Sequence, residues 1–384
     1  MLSIRRLLPA LLAGLLFALF CPAQQPQPGI AEIEKFVDNL PKNNANTAKD
    51  LAATLNAYGF RKEAGLRGCF YWMMKNLKYD YKDTAFIQEH YYDHSAIIRN
   101  VLSGRGTICF GYALLFNRLA QELGYQSYVV TGYVKQMEKE STTGHAWVAV
   151  KMDTSWYMFD PTWGQRKELP LAGSVKHIEY SYFKVKPEAF LEDHIPYDPL
   201  WQFTYYPVSH KKFSTGADPR PARFFRFEDS LVRHFAKNDS QQKTDELRRI
   251  LDSDQISAVL ADYIFVLAAH CNDLRTEYLV RDRIMRDSKK YAVADSLFSA
   301  GSWRGQFAEI MERDMSTASQ ANKEIIKKRM KPYLDTAVTV LQLAVNSIND
   351  VINEGGVWRA YFVRLHELYR LYYYRYLALK SDYE

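Results

Sequence analysis

The switch from helical to alternating spacing of apolar residues at Gly124 restricts the fold more than any other feature of this 384-residue chain. Residues 113–123 repeat apolar side chains at helical spacing, and glycine commonly ends a helix. Residues 127–134, 146–152 and 156–159 instead alternate and are rich in residues that favour strands. The sequence therefore predicts a helix followed by three antiparallel strands, of which the last two form a hairpin.

Cys109 lies at the predicted start of this helix, because Gly104 and Gly106 interrupt the pattern before it. The free amides and aligned peptide dipoles of a first helical turn favour a thiolate, the nucleophilic form of cysteine. Beyond residue 23 the chain has an odd number of cysteines, so at least one thiol stays unpaired. The other two, Cys69 and Cys271, lie in apolar helical runs and are expected in the core.

The predicted hairpin brings a histidine and an aspartate to the same end. His145 enters its first strand and Asp160 leaves its second. A four-residue loop over 151–154 would pair the two directly, whereas a two-residue turn at residues 153 and 154 would make them diagonal neighbours on one face. Their Cβ atoms would then be about 5 Å or about 7 Å apart. In both registers the carboxylate can orient the imidazole, whose other nitrogen can take a proton from a thiol.

Three blocks of sequence carry a family resemblance. Residues 106–113 read GTICFGYA, residues 144–147 read GHAW and residues 156–163 read WYMFDPTW. Together they resemble the transglutaminase-like (papain-fold) superfamily, in its exported bacterial form, over roughly residues 60–165. The order Cys, His, Asp and the intervals of 36 and 15 residues are similar to those of that family.

The resemblance implies an α+β fold, in which the cysteine helix packs on an antiparallel sheet that carries the other two residues. It makes Cys109 the nucleophile, His145 the base and Asp160 the orienting acid. The implied reaction is acyl transfer at amide bonds of peptides or proteins, with no cofactor and no metal ion. Hydrolysis, as in a cysteine peptidase or amidase, is favoured over cross-linking because no sequence feature marks a second, amine-donor site.

A non-catalytic binding or scaffold protein of the cell envelope is the alternative, because a fold alone does not establish a reaction. If the enzyme interpretation holds, the Cys109 backbone amide supplies one oxyanion donor. Tyr79, Trp72 and Gln165 are candidates for a second by residue type only, and a structural role is favoured for each of them. Trp147 and Trp163 flank the expected site in sequence, and both are candidates for lining its substrate cleft. For Trp147, packing in the core is an equally open alternative.

Two histidines four residues apart, His90 and His94, could lie on one helix face as half of a zinc site. No third ligand is evident beside them in the sequence. A surface or cleft-rim segment is therefore the favoured interpretation, and no metal site is predicted.

Residues 1–23 have the pattern of a secretory signal peptide, with two arginines before a short apolar stretch. That stretch is too short to span a bilayer, and the apolar runs in the rest of the chain are shorter still. No transmembrane segment is therefore predicted after removal of the signal peptide. Cys21 follows bulky residues, which disfavours lipoprotein anchoring. We expect an exported protein, periplasmic or secreted.

The rest of the chain is predicted to form a transglutaminase-like domain over 24–212 and an all-helical accessory domain over 213–384. In the latter, separate helices are expected over 292–298 and 307–315, and again on either side of Pro332. The net charge of +6, from 50 basic and 44 acidic residues, is mild and interspersed, which excludes a nucleic-acid-binding face. The expected partner is a protein or peptide substrate, with an envelope polymer as a further candidate.

Overall fold

The computed structural model describes residues 28–40, 47–60, 62–136, 139–140, 143–166, 177–252, 256–271, 279–280, 282–284, 286, 289–315, 319–356 and 358–381. The predicted signal peptide over 1–23 and Cys21 lie outside the described residues. The helices are α1 Ile30–Asp38, α2 Ala48–Ala57, α3 Glu63–Asn76, α4 Thr84–Glu89, α5 His94–Leu102, α6 Cys109–Glu122, α7 Pro187–Phe190, α8 His210–Thr215, α9 Phe227–Phe235, α10 Asp239–Leu251, α11 Ala258–Cys271, α12 Lys289–Met315, α13 Gln320–Glu354 and α14 Arg359–Ser381. The strands are β1 Gln126–Gln136, β2 Lys139–Glu140, β3 His145–Met152, β4 Ser155–Phe159, β5 Gln165–Arg166, β6 His177–Ile178 and β7 His194–Pro196.

The main sheet has the order β2-β1-β3-β4, with β7 also paired to β1. The predicted α+β fold, followed along the chain by an all-helical C-terminal region, is confirmed. Strand β7 is antiparallel to β1 and places His194 opposite Val134. Only Asp153 and Thr154 separate β3 from β4, so the hairpin has the two-residue turn. Asp153 has φ +55°, in the left-handed region that aspartate tolerates better than most residues.

Described by itself, the first compact unit is built on two buried helices, α3 and α6. The ring of Phe116 on α6 packs against Phe70 on α3, with centroids 5.8 Å apart, and against Phe159 at 5.3 Å. Cys69 is fully buried in this core, and burial raises the pKa of its thiol. Its predicted core position is therefore confirmed, whereas the side chain of Cys271 lies outside the described residues.

The second compact unit has a hydrophobic core of its own, to which residues from both sides of the predicted boundary at 212 contribute. Tyr133, Ile195 and Tyr197 belong to the same buried cluster as Leu247 and Ile264. The Tyr197 ring also stacks on Tyr263, with centroids 4.0 Å apart. The division into domains at 212 stays a prediction, but hydrophobic contacts within this unit join residues that it would separate.

The C-terminal helices are longer than predicted. Helix α12 continues through Gly301 and Gly305. A Cβ atom at Gly305 would lie 2.2 Å from the Tyr376 ring. These glycines allow close packing between helices rather than ending one. The predicted helix break at Pro332 is wrong, because α13 contains this residue and its flanks Met330 and Leu334 are anchored in a buried cluster.

In the part of the chain that the structure describes, no helix combines the length and the apolarity needed to cross a membrane.

A buried ion pair fastens α10 to the segment after β7. Nε and Nη2 of Arg249 donate to the two carboxylate oxygens of Asp198 at 2.8 and 2.7 Å. Asp198 is fully buried, and its Oδ1 also accepts from the backbone N–H of Leu200 at 2.9 Å. Removing one partner of such a pair leaves the other charge buried without compensation.

Arg249→Met is expected to lower the free energy of unfolding by about 3–5 kcal/mol, because Asp198 would keep its buried charge and lose both bonds. Urea denaturation measures the loss. The matched control is Arg248→Met on the same helix, whose guanidinium is partly exposed and 3.4 Å from Asp245; its expected cost is under about 1 kcal/mol. Equal losses in the two variants would contradict this assignment.

A buried histidine makes the second compact unit sensitive to pH. Nε2 of His210 donates to the Tyr197 carbonyl at 3.1 Å, and Nδ1 accepts from the Tyr133 hydroxyl at 2.8 Å. Burial lowers the pKa of His210 from 6.5 to about 4, against the opposing effect of the bond to Tyr197. The folded protein therefore binds fewer protons at this residue than the unfolded chain between those two pH values.

The contribution of neutral His210 to stability is complete above pH 6.5 and is expected to fall by roughly 3 kcal/mol as the pH drops towards 4. The measurement is the free energy of unfolding between pH 7.5 and 4 for the native chain and for His210→Gln, which cannot titrate. The difference between the two curves isolates this residue. Parallel curves would show that His210 is not held neutral.

Candidate active site

Cys109 is the first residue of α6, as predicted. Its preceding residue, Ile108, provides no side-chain cap, and the first turn carries no acidic residue. No side chain of the first turn therefore neutralises the partial positive charge at the N-terminus of α6. Cys109 retains 9% of its surface exposed, whereas Cys69 retains none. The two thiols thus differ in access as well as in position.

Backbone pairing fixes the entry into α6. The N–H of Thr107 donates to the Lys78 carbonyl at 2.9 Å, and the N–H of Asp80 donates to the Thr107 carbonyl at 3.0 Å. The Thr107 hydroxyl also donates to the Asp83 carboxylate at 2.7 Å, and that carboxylate accepts from Asn100 at 2.8 Å. These hydrogen bonds therefore hold the segment after α3 beside Thr107, two residues before Cys109.

This pairing places Tyr79 at Cys109. The phenol oxygen is hydrogen-bonded to the backbone N–H of Cys109 and to its side chain. Burial, followed by the charge of the neighbouring Cys109, raises the pKa of Tyr79 above its ordinary value. The Tyr79 ring stacks on Tyr112, with centroids 6.2 Å apart, and meets Tyr81 edge-on at 5.0 Å.

Asp160 directly follows β4 and is fully buried. Its Oδ1 accepts from the backbone N–H groups of Thr162 and Trp163 at 2.8 and 3.2 Å, and its own N–H donates to the Tyr182 carbonyl. These bonds offset part of the cost of burying a carboxylate and fix its direction. Trp163 is half-buried and packs edge-on against Tyr182 with centroids 5.1 Å apart.

His145 begins β3 within a cluster of rings. Its centroid lies 6.1 Å from Trp147 and 5.6 Å from His194. Trp147 is fully buried. His194 is also fully buried, and its Nδ1 lies 2.5 Å from Asp193 Oδ1, so the carboxylate accepts from Nδ1–H and Nε2 is the remaining ring nitrogen.

One group of three among the described residues has ligand atoms close enough to hold a metal ion. These are His145, Asp160 and His194, whose nearest nitrogen or oxygen atoms lie within 4.8 Å of one another. The structure thus brings together the predicted His145 and Asp160 and adds His194. The absence of a metal ion from the site stays a prediction.

The other histidine pair does not share a helix. His90 follows the last residue of α4, and His94 begins α5. His90 stacks on Phe86 with centroids 4.1 Å apart, while His94 meets Phe110 edge-on at 6.1 Å. The helical spacing that would have placed both imidazoles on one face is therefore not present.

The sequence alone did not indicate His194 as a site residue, and it did not predict that Tyr79 contacts Cys109. His194 is an isolated histidine in an aromatic and proline-rich segment, and only its pairing across β7 and β1 brings it near His145. Tyr79 was a candidate by residue type, but its contact with Cys109 depends on the pairing with Thr107, which joins segments far apart in sequence. The side chain of Gln165 lies outside the described residues.

Parts of the chain are similar to known proteins. Residues 49–161 match the Transglutaminase-like superfamily, so this part of the chain is a transglutaminase-like domain. The chain is 31% identical over 156 residues to kyphoscoliosis peptidase of Homo sapiens and 29% identical over 155 residues to that of Mus musculus, in each case over 38% of this chain and 23% of the relative. It therefore spans about a quarter of the length of these curated relatives.

A solved structure described as the crystal structure of a TGase is also similar to the chain. The identity is 15% and the TM-score is 0.27, over 64% of this chain and 57% of that one.

The absence of a side chain at Gly106 is required by the pairing beside Cys109. A Cβ atom there would lie 2.4 Å from Asp80 Cβ and 3.0 Å from the Lys78 carbonyl oxygen. Gly106→Ala is expected to lower the free energy of unfolding by roughly 1–3 kcal/mol because the segment 78–80 must shift. Urea denaturation measures the loss. In an Asp80→Gly background, which removes the nearer atom, the same substitution should cost less; equal costs in both backgrounds would contradict the close approach.

Proposed function

We propose that the protein is an exported thiol acyl-transfer enzyme that hydrolyses amide bonds of peptides or proteins through Cys109, His145 and Asp160. The observation that carries the proposal is the coincidence of the transglutaminase-like match over 49–161 with a cysteine at the first turn of α6. The proximity of His145 to the buried carboxylate of Asp160 supports the assignment of base and orienting acid.

In the proposed reaction the Cys109 thiol gives its proton to the imidazole of His145, and the sulfur attacks the amide carbonyl carbon. The carbon–sulfur bond forms while the carbonyl electron pair moves to oxygen, and the Cys109 backbone N–H donates to that oxyanion. His145 then protonates the leaving nitrogen as the carbon–nitrogen bond breaks. Water hydrolyses the thioester, which returns the thiol and releases a carboxylic acid.

The buried carboxylate of Asp160 has a positioning role in this scheme. Two backbone N–H groups hold Oδ1, so the carboxylate has a defined direction in which to accept from the imidazole. Such a hydrogen bond would select the tautomer whose other nitrogen can accept the thiol proton.

A peptide substrate is favoured because two relatives are named as peptidases, and hydrolysis because no second site for an amine donor was found in the sequence. Export, to the periplasm or the exterior, rests on the signal-like pattern of residues 1–23. A non-catalytic scaffold is the second candidate, and the small exposed fraction of Cys109, 9%, favours it. Cysteine reactivity separates the two.

Iodoacetamide labelling at pH 6.5 followed by mass spectrometry is expected to modify Cys109 at least about tenfold faster than Cys69, because only the former has first-turn amides and access. His145→Ala should remove the difference, while His90→Ala, at a histidine outside the site, should keep it. Slow labelling of Cys109 that does not depend on His145 would favour the scaffold.

Turnover of a quenched-fluorescent peptide library provides the second measurement. Asp160→Asn should leave the melting temperature nearly unchanged and slow hydrolysis about 10³–10⁴-fold, because the amide favours the wrong imidazole tautomer. Unchanged turnover would remove Asp160 from the mechanism.

A further inference from the structure

A stripe of large apolar side chains is exposed on α12, within the second compact unit. Trp303, Phe307 and Ile310 follow one another at helical spacing, so they share one face of the helix. Trp303 is 60% exposed and Ile310 is 47% exposed, whereas Ala308 on the other side of the same helix is fully buried. Exposed apolar residues that are contiguous, rather than scattered singly, are typical of an interaction surface.

A tyrosine of α13 extends this stripe into a patch. The Phe307 ring stacks on Trp303 with centroids 5.9 Å apart, and its centroid lies 4.9 Å from that of Tyr333. Three aromatic rings from two helices are therefore in contact with one another. We call Trp303, Phe307, Ile310 and Tyr333 the Trp303 patch.

Charge is distributed very unevenly along α13. Residues 320–331, which lead up to Tyr333, carry five cations and one acidic residue. Residues 332–354 of the same helix carry three acidic residues and no cation. The five cations are the half-buried Lys323 and the exposed Lys327, Lys328, Arg329 and Lys331. The positive charge of α13 is thus concentrated in the part of the helix that adjoins the Trp303 patch.

Acidic residues of α12 offset only part of this charge. Glu309 pairs with Arg375 at 2.6 Å. Glu312 is nine residues from Trp303, about two and a half turns, and so lies on the opposite side of the helix. Asp314, one turn after Ile310, shares the face of the patch and is exposed. Together, residues 303–315 and 320–331 carry seven cations and four acidic residues, so the surroundings of the patch are positive.

This combination of side chains favours one kind of partner. A symmetric contact with a second copy would bring two clusters of five cations together, which like-charge repulsion opposes. An anionic lipid surface attracts the cations and also takes up aromatic and aliphatic side chains between its headgroups. Tryptophan suits that boundary because its ring is largely apolar and its N–H is polar.

We propose that the Trp303 patch and the cations of residues 323–331 dock the protein on a membrane surface rich in anionic lipids, without a helix crossing the bilayer. This interaction goes beyond the proposed hydrolysis. Its test measures binding and no turnover, so failure of one proposal leaves the other standing.

Co-sedimentation of the full-length protein with large vesicles measures the interaction. Vesicles of equal parts phosphatidylglycerol and phosphatidylcholine should bind at least about tenfold more tightly than vesicles of phosphatidylcholine alone. Added salt should weaken this binding, since it screens the cations. Any binding by the apolar stretch of residues 1–23 is common to all variants, so comparison between variants isolates the patch.

Two double variants separate the apolar and the charged contributions. Trp303→Gln with Ile310→Gln removes exposed apolar surface, and Lys328→Gln with Lys331→Gln removes charge, while glutamine preserves helix propensity. Each pair should weaken binding to the anionic vesicles at least about tenfold. Asp314→Asn should strengthen it by about threefold, because an acidic residue leaves the patch face.

The matched control is Leu343→Gln, in the acidic part of α13, where the side chain is 49% exposed and so comparable to Ile310. It should leave binding within about twofold of the native value, and the melting temperature verifies that each variant folds. Equal binding to neutral and anionic vesicles, or equal binding by the patch variants and the control, would overturn the proposal.

Two further outcomes would also overturn it. Binding that is lost in the lysine variant alone would indicate a contact with any polyanion rather than with a membrane. A dimer in analytical ultracentrifugation that Trp303→Gln dissociates would show that a second copy covers the patch.

Discussion

The pairing of residues 78–80 with Thr107 is the constraint on which the candidate site depends. Two backbone hydrogen bonds join a segment that leaves α3 to Thr107, two residues before α6, and the Asp83 carboxylate accepts from the Thr107 hydroxyl. This arrangement determines where α6 begins, so Cys109 enters the first turn. It also places Tyr79 against that turn, and it leaves room at position 106 only for glycine.

The hairpin imposes a second constraint on the carboxylate. Because β3 and β4 are joined by two residues, His145 at the start of one strand and Asp160 just after the other lie at the same end of the pair. Burial would penalise the Asp160 charge, and the backbone N–H groups of Thr162 and Trp163 offset that penalty while aiming the carboxylate. His194, held by Asp193, adds a second oriented imidazole beside His145.

Local patterns predicted the parts of the site that depend on neighbouring residues in sequence. Glycines before and after α6 indicated the two ends of the cysteine helix, and the alternation of apolar residues indicated the hairpin. Both signals could be read because each lies within a few residues of the feature it indicates. The pairing of Tyr79 with Thr107 and of β7 with β1 depends on distant segments, so no local pattern revealed Tyr79 or His194 as neighbours of the site. The helix through Pro332 was missed for a similar reason, since burial of its flanks outweighs the local preference to break.

Detection of an acyl-enzyme would test whether Cys109 is the nucleophile. The protein is mixed for milliseconds with an activated peptide ester, quenched in acid and digested, and the peptides are analysed by mass spectrometry. We expect an added acyl mass on the peptide that contains Cys109, which disappears on longer incubation as water hydrolyses the thioester. Acylation of another residue, or none at Cys109 under conditions that consume the ester, would contradict it.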